Sequence, residues 1–211
     1  MDTILTLGTD TAKWQNGMFW IQAAYNGIRF NFNKFTDGEV GKDVARTYHW
    51  TECGKLGILR SPYHFYRNSD PIKQALNFHS TFIASVGDVK LELPPMIDVE
   101  LYKIDWKKLH IHVKKVCELF GVRKVIIYTS RNFWSPKALG WEKEHDLFQA
   151  EWTYNREVIP VPGFNKWVFR QFTGKGHGFV YGNKPDCKEI DLDVYDGTLE
   201  ELRYTYASST Y

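Results

Sequence analysis

The 211-residue sequence predicts an α/β fold, an irregular, TIM-barrel-like (β/α) barrel that loses helices in its C-terminal half. Three observations carry this expectation. Short apolar strands alternate with helical segments along the first half of the chain. One of them, Pro94-Pro95-Met96-Ile97-Asp98-Val99-Glu100, ends in two carboxylates one residue apart. Beyond about residue 150 the connections become Pro- and Gly-rich and too short for regular crossover helices.

The strand candidates in order are Ile4 to Leu7, Ile28 to Phe32, Leu56 to Phe65, Met96 to Glu100, Val122 to Tyr128, Leu147 to Trp152, Trp167 to Phe172 and Ile190 to Tyr195. The clearest helix runs from Asp105 to Phe120. There Leu109, Val113, Val116 and Phe120 form a stripe at helical spacing, Asp105 is an N-cap and Gly121 a stop. The segment Asn155-Arg156-Glu157-Val158-Ile159-Pro160-Val161-Pro162-Gly163 reads as loop, and Gly174, Gly176, Gly178 and Gly182 mark a hairpin or long loop. No internal repeat or composition shift divides the chain, so one domain over residues 1–211 is expected.

Side chains two apart on a strand share a face, which sets the Cα atoms of Asp98 and Glu100 about 6–7 Å apart. Two-carboxylate sugar hydrolysis works at a spacing of that order. Met96 shares the face of the two acids, whereas Ile97, Val99 and Leu101 share the other. That second row must be buried, so the acids face a cavity or mouth. Other strands end in the same way. Parity places Asp10 at the exit of the first strand, sets Asp191 and Asp193 on one face of the last, aligns Trp167, Phe169 and Gln171, and closes Val125-Ile126-Ile127 with Tyr128. Barrel closure makes the first and last strands neighbours, so Asp10, Asp98, Glu100 and Asp191 can surround one mouth. Crowding there raises the pKa of at least one carboxyl, which can then act as a general acid near neutrality.

Composition narrows the function classes. Aromatic residues make up 16% of the chain, enough to fill a core and still supply surfaces that stack on sugar rings. The formal charge is +2, but residues 181–211 hold three basic side chains against seven acids, leaving a mildly basic body without the Lys/Arg stripe of a nucleic-acid binder. Cys53, Cys117 and Cys187 are widely spaced, odd in number and form no CxxC or Cys/His cluster, so a structural zinc site is not expected. The start, Met1-Asp2-Thr3-Ile4-Leu5-Thr6-Leu7, has an acid where an export signal needs positive charge, and no stretch approaches the roughly 20 apolar residues that span a bilayer. Neither stable membrane association nor an obligate protein partner is expected.

Eight motifs in chain order resemble glycoside hydrolase family 25, the lysozyme family of N-acetylmuramidases and endolysins. Gly8-Thr9-Asp10-Thr11-Ala12-Lys13-Trp14-Gln15-Asn16-Gly17 resembles the family's opening motif, in which an Asp precedes a Ser and a Gln-Gly pair. Lys34-Phe35-Thr36-Asp37-Gly38 is similar to Lys-Ala-Thr-Glu-Gly, Tyr63-His64-Phe65 to Tyr-His-Phe, and Ile97-Asp98-Val99-Glu100 to the Asp-x-Glu centre. Ile126-Ile127-Tyr128-Thr129 follows the strand after the long helix, and Phe148-Gln149-Ala150-Glu151-Trp152 resembles Trp-Ile-Ala-x-Tyr. Gln171-Phe172-Thr173 is similar to Gln-Tyr-Thr, and Ile190-Asp191-Leu192-Asp193 to Val-Asp-Leu-Asn.

The resemblance implies an irregular α/β barrel that cleaves the β-1,4 bond between N-acetylmuramic acid and N-acetylglucosamine in peptidoglycan glycan strands, with retention and without metal or cofactor. By the same resemblance Glu100 is the general acid/base, Asp98 orients the substrate acetamido group or the reactive intermediate, and Asp10 and Asp191 flank the site. Lys34 pairs with a site carboxylate, and Tyr63, Tyr128, Trp152, Trp167 and Gln171 are candidates for the sugar groove. His64 fits either a sugar contact or a hydrogen-bonded structural histidine. Both covalent and acetamide-assisted retention are open, the side-by-side Asp-x-Glu pair leaning toward assistance. Departures from the motifs are Ala12 for Ser, Asn16 between Gln15 and Gly17, Phe35 for Ala, Asp37 for Glu, Trp152 for Tyr, and Arg170 where an aromatic is common. Other readings are a non-catalytic peptidoglycan-binding barrel and a hydrolase of a chitin-like polymer. Without an export signal, the expected locations are the cytoplasm until release, as for a phage lysin, or secretion by another route, with action at the bacterial wall.

Overall fold

The computed structural model describes residues 4–134, 138–155 and 157–207. Met1 to Thr3, which belong to the start that argues against an export signal, and Arg156 of the Pro-rich loop lie outside the described residues. The strands are β1 (Thr6–Thr11), β2 (Phe30–Asp37), β3 (Gly41–Lys42), β4 (Leu59–Phe65), β5 (Met96–Asp98), β6 (Ile126–Ser130), β7 (Asp146–Ala150), β8 (Phe169–His177) and β9 (Glu189–Tyr195). The helices are α1 (Trp20–Tyr25), α2 (Arg46–Lys55), α3 (Pro71–Val86), α4 (Trp106–Phe120) and α5 (Leu199–Ala207).

In space the strands run β1-β9-β8-β7-β6-β5-β4-β2, and a parallel β1–β2 pairing closes the ring into an eight-stranded barrel. β3 folds back antiparallel on β2, and β9 is antiparallel to both of its neighbours. The other pairings are parallel. Helices follow β1, β3, β4 and β5. Among the described residues only a 3-10 turn (Glu142–Glu144) joins β6 to β7, irregular chain joins β7 to β8, and a 3-10 turn (Gly178–Tyr181) joins β8 to β9. The irregular barrel with helices missing from its later half is what the sequence predicts.

Helix α4 shows how local chemistry sets an element. The Asp105 carboxylate accepts from the backbone N–H groups of Lys107 and Lys108, both at 3.1 Å, satisfying two orphan donors. Leu109, Val113 and Val116 are buried against the sheet, and Gly121 ends the helix at φ 65°. Helix α3 starts alike, with Asp70 accepting from Ile72 and Lys73 and with Pro71 in the first turn.

Strand parity separates two cores. Phe30, Phe32, Met96, Ile126, Phe148 and Phe169 point into the barrel, where Phe32 packs on Phe169 at 5.1 Å and on Phe148 at 4.8 Å between ring centroids. Tyr206 and Leu202 of α5 join this cluster. Ile97, Val99, Ile127 and Leu147 point outward and pack with Phe78, Phe82, Leu109 and Val113 of the helices. Inside the barrel an apolar floor therefore gives way, two residues up, to Lys34 on β2, Asp98 on β5, Tyr128 on β6 and Gln171 on β8, whereas β7 carries Ala150 there.

Several boundaries differ from the expectation. β1 starts at Thr6 and runs through Thr11, so Asp10 lies within the strand. The stretch beginning at Leu56 is not all strand. α2 continues to Lys55, Leu56 caps it, and Gly57 turns the chain at φ 67° before β4. β5 ends at Asp98, leaving Glu100 two residues beyond. Gly174 and Gly176 belong to β8, which forms the predicted hairpin with β9.

Candidate active site

The four carboxylates converge. In the antiparallel β1–β9 pairing Gly8 sits opposite Asp193. The pairing ends there; continued two residues it points Asp10 toward Asp191, and the intervening Thr9 hydroxyl donates to the Asp191 carbonyl at 2.6 Å. Asp98, at the end of β5, and Glu100, just past it, complete the set. All four line one cavity of about 300 Å³ together with Lys34, Tyr63, Tyr128, Trp152 and Gln171. A neighbouring lobe of about 450 Å³, bounded by Ser130, Arg131, Asn132 and Glu151, shares Glu100, Tyr128, Trp152 and Gln171 with the first. Glu100 thus stands where the two lobes of one groove meet.

Gln171 ties this junction together. Its amide nitrogen donates to Asp10 Oδ2 at 2.9 Å, and its carbonyl accepts from the Tyr128 hydroxyl at 3.1 Å and from Trp152 Nε1 at 2.8 Å. Gly174 leaves room for this arrangement. A Cβ there would overlap the Trp152 ring, with Cη2 at 2.8 Å, and lie 3.0 Å from Asp191 Oδ1.

Every one of the four acids is held above the ordinary carboxylate range, and burial is the first cause in each case. Asp98 stands well above it, pushed further by Glu100, and so does Asp10, pushed further by Asp191. Asp191 is raised to about 6, by burial and then by Glu100. Glu100 is raised by burial and drawn back by Lys34. The Lys34 ammonium opposes the rise at Asp10 and Asp98 as well, yet its nearest carboxylate is Asp37, at 3.9 Å. It pairs closely with none of the four and acts on them through space, its Nζ lying 4.7 Å from the centroid of the Phe65 ring and 5.7 Å from that of Tyr63.

Below the cluster lies Asp193, which shares the face of Asp191 as parity predicts. It is 0% exposed, and among the described residues neither of its carboxyl oxygens has a hydrogen-bond partner. Burial, then Asp10 and Asp191, hold it well above the usual range. A carboxyl in such a place is stable only as the neutral acid.

Two expected groove residues lie elsewhere. Tyr63 faces the groove, so its neighbour on β4, His64, must face the other way. His64 is buried between sheet and helices, bonded to Thr36 Oγ1 at 2.8 Å and Gln74 Oε1 at 3.3 Å, and burial holds it neutral, well below the usual histidine range. It is the structural histidine of the two alternatives. Trp167 precedes the first residue of β8, at the end of the barrel away from the groove, and packs in the outer core. Tyr63, Tyr128, Trp152, Gln171 and Lys34 do line the groove.

Other lining residues were not anticipated. Trp14, 71% exposed, lies four residues after Asp10 in the opening motif and lines the same cavity, its membership of that motif being the available signal. Arg131 and Glu151 sit in loops beyond strand ends and face each other at 3.5 Å. No periodicity marks them. No group of three His, Cys, Asp or Glu side chains poised for a metal ion occurs among the described residues, and no described helix is long and apolar enough to cross a membrane.

A closed barrel bearing a cluster of raised carboxyls in an aromatic-walled groove defines a glycosidase-type site. Residues 9–178 match the family profile of glycosyl hydrolases family 25. The chain therefore belongs to glycosyl hydrolase family 25, and it is a glycoside hydrolase of the lysozyme type.

Among solved structures it is similar to the bacterial lysozyme from Streptomyces coelicolor, with a TM-score of 0.82 at 22% identity over 99% of this chain and 100% of that one. It is likewise similar to the muramidase from Trichobolus zukalii, with a TM-score of 0.79 at 24% identity over 97% and 100% of the two chains. A family 25 glycosyl hydrolase from Bacillus anthracis aligns with a TM-score of 0.76 at 26% identity over 97% of this chain and 94% of its own. No curated protein matches the sequence significantly.

Proposed function

We propose that the protein is a retaining N-acetylmuramidase that cleaves the β-1,4 bond between N-acetylmuramic acid and N-acetylglucosamine in peptidoglycan, acting at the bacterial cell wall. The observation that carries this reading is the place of Glu100, at the junction of the two groove lobes and beside the buried Asp98. A glycan laid along the groove has its scissile bond at that junction.

Glu100 gives its proton to the glycosidic oxygen as the C1–O bond breaks. The substrate's own acetamido oxygen attacks C1, and Asp98 accepts the acetamido N–H, holding that group in line. Asp98 and Glu100 leave the strand end side by side, which suits an acid and its helper better than two groups on opposite faces of a sugar. Water, giving its proton to Glu100, then opens the cyclic intermediate from the face the leaving sugar vacated, so configuration is retained. Asp10 and Asp191 bind the sugar and set the charge around C1, while Tyr63, Tyr128 and Trp152 wall the groove.

Reducing-end release and clearing of purified cell walls test this reading. Wild type is expected to do both, and Glu100→Gln to bind walls while releasing reducing ends at a rate lower by about 10²–10⁴-fold, as for loss of a general acid. Cleavage of chitin oligomers but not of walls would move the substrate to a chitin-like polymer. Wall binding by wild type without release would leave a binding barrel.

A further inference from the structure

Beside the catalytic groove, across Trp14, opens a second pocket of about 410 Å³ that shares Ala12, Trp14 and Lys34 with it. Its charged lining is Lys13, Lys34, Lys42, Asp37 and Asp43. The two acids are already engaged. Asp37 accepts from Arg67 Nε at 2.7 Å and Nη2 at 2.9 Å, and Asp43 accepts from the backbone N–H groups of Lys13 at 2.9 Å and Ala45 at 2.8 Å.

Two cations are not so engaged. Lys13 and Lys42 are exposed, and among the described residues neither ammonium lies within 4.0 Å of a carboxylate. Lys13 Nζ rests 4.6 Å from the centroid of the Trp14 ring, over a side chain that also borders the groove. An exposed indole flanked by ammoniums, at the end of a sugar-binding groove, matches a sugar that carries a negative group. The indole takes the ring and the lysines take the charge. Of the two groove lobes and this pocket, only the pocket has more cations than acids in its lining. The mouth itself holds four carboxyls.

We propose that this pocket is an anionic subsite of the groove, in which Lys13 and Lys42 hold a carboxylate borne by the glycan strand while Trp14 stacks on the sugar that carries it. The subsite rests on the reading of peptidoglycan as substrate, and it is what would set such a strand apart from a neutral N-acetylglucosamine polymer. Two sources offer the same chemistry, the free carboxylates of a peptide stem and the lactyl carboxylate left when stems are removed.

The test compares wild type with Lys13→Ala/Lys42→Ala on three wall preparations: intact, stripped of stems by an amidase, and with carboxylates converted to amides. On intact walls the double variant is expected to raise KM about 3–10-fold with kcat within twofold, the size of two exposed ion pairs. The difference should shrink as salt rises, and it should vanish on the amide-blocked preparation. The effect on intact walls reads the stem carboxylates, because the lactyl group is amide-linked there. If stripped walls behave like blocked ones only the stem is held, and if the difference persists on stripped walls the freed lactyl carboxylate is held as well. Equal KM for both proteins on intact walls, or an increase that persists on blocked walls, overturns the subsite. Binding of soluble muropeptide oligomers to Glu100→Gln, with and without the two lysine changes, reads the subsite independently of turnover. A wild type that releases no reducing ends would therefore sink the functional reading without deciding this one.

Discussion

Gln171 Nε2 donates to Asp10 Oδ2 at 2.9 Å, tying the first residues of β8 to the last residues of β1 at the barrel mouth. The other end of the same amide accepts from Tyr128 and Trp152, so one neutral side chain orients a carboxylate and two groove aromatics. It also opposes the rise in the Asp10 pKa. Gln171→Met keeps the length and removes all three bonds. A hydrogen bond to a charged group contributes about 1.5–3 kcal/mol, so kcat/KM should fall about 10–100-fold. Steady-state kinetics on soluble glycan measures it, and an unchanged kcat/KM would mean that the amide only fills space.

Lys34 acts on three of the four clustered carboxyls without pairing closely with any. Its charge opposes the rise at Asp98, Asp10 and Glu100. Lys34→Met removes the cation, so all three groups keep their protons to higher pH. The alkaline limb of kcat/KM, where the general acid loses its proton, should then move upward, and Lys34→Arg should leave it near its wild-type position. A limb that stays in place or moves down in Lys34→Met would show that Lys34 does not act on the acid.

The period of two along a strand follows from covalent geometry, which is why the sequence alone grouped Asp10, Asp98 and Asp191 on one mouth and set Ile97 and Val99 behind them. The same rule excludes His64 once Tyr63 is placed inside, because neighbours on a strand cannot share a face. Parity does not report height, however. Trp167 has the parity of Gln171 but precedes it by four residues, roughly 13 Å down an extended chain, and so falls outside the groove. Arg131 and Glu151 lie in loops, where side-chain direction depends on long-range contacts such as the Arg131 guanidinium on the Ile159 carbonyl. Nothing in the local sequence encodes that contact.

Gly174 separates fold from function in a single test. Although the β8–β9 register shifts between Thr173 and Gly176, the φ of Gly174 is not left-handed, so Gly174→Ala carries no φ penalty and should leave thermal stability within about 1 kcal/mol of wild type. The added methyl meets the Trp152 ring and Asp191 Oδ1, and Trp152, being 60% exposed, can swing outward. That movement breaks its bond to Gln171 and opens the groove wall. KM should rise about tenfold, the effect of one lost stacking and hydrogen-bonding platform. Unchanged KM at unchanged stability would show that Trp152 does not hold substrate.

Asp193 makes the fold itself depend on pH. Its native pKa lies well above the usual range, because it is buried and because Asp10 and Asp191 face it from β1 and β9. Its β8 neighbour in register is the uncharged Gln171. In the unfolded chain it titrates near 3.9. The native state therefore keeps a proton that the unfolded state has released, so the contribution is complete below about pH 4 and is lost as pH rises toward the native pKa, at up to about 1.4 kcal/mol per pH unit. Asp193→Asn removes this one dependence, and the family's Val-Asp-Leu-Asn motif carries Asn at the matching position. The slopes due to Asp10, Asp98 and Asp191 are common to both proteins, so they cancel in the difference between them. Thermal melts from pH 4 to pH 8 should show the variant gaining on wild type steadily as pH rises, whatever their relative order at pH 4. A difference that is flat across that range, or that narrows, would mean that Asp193 is ionised in the native barrel.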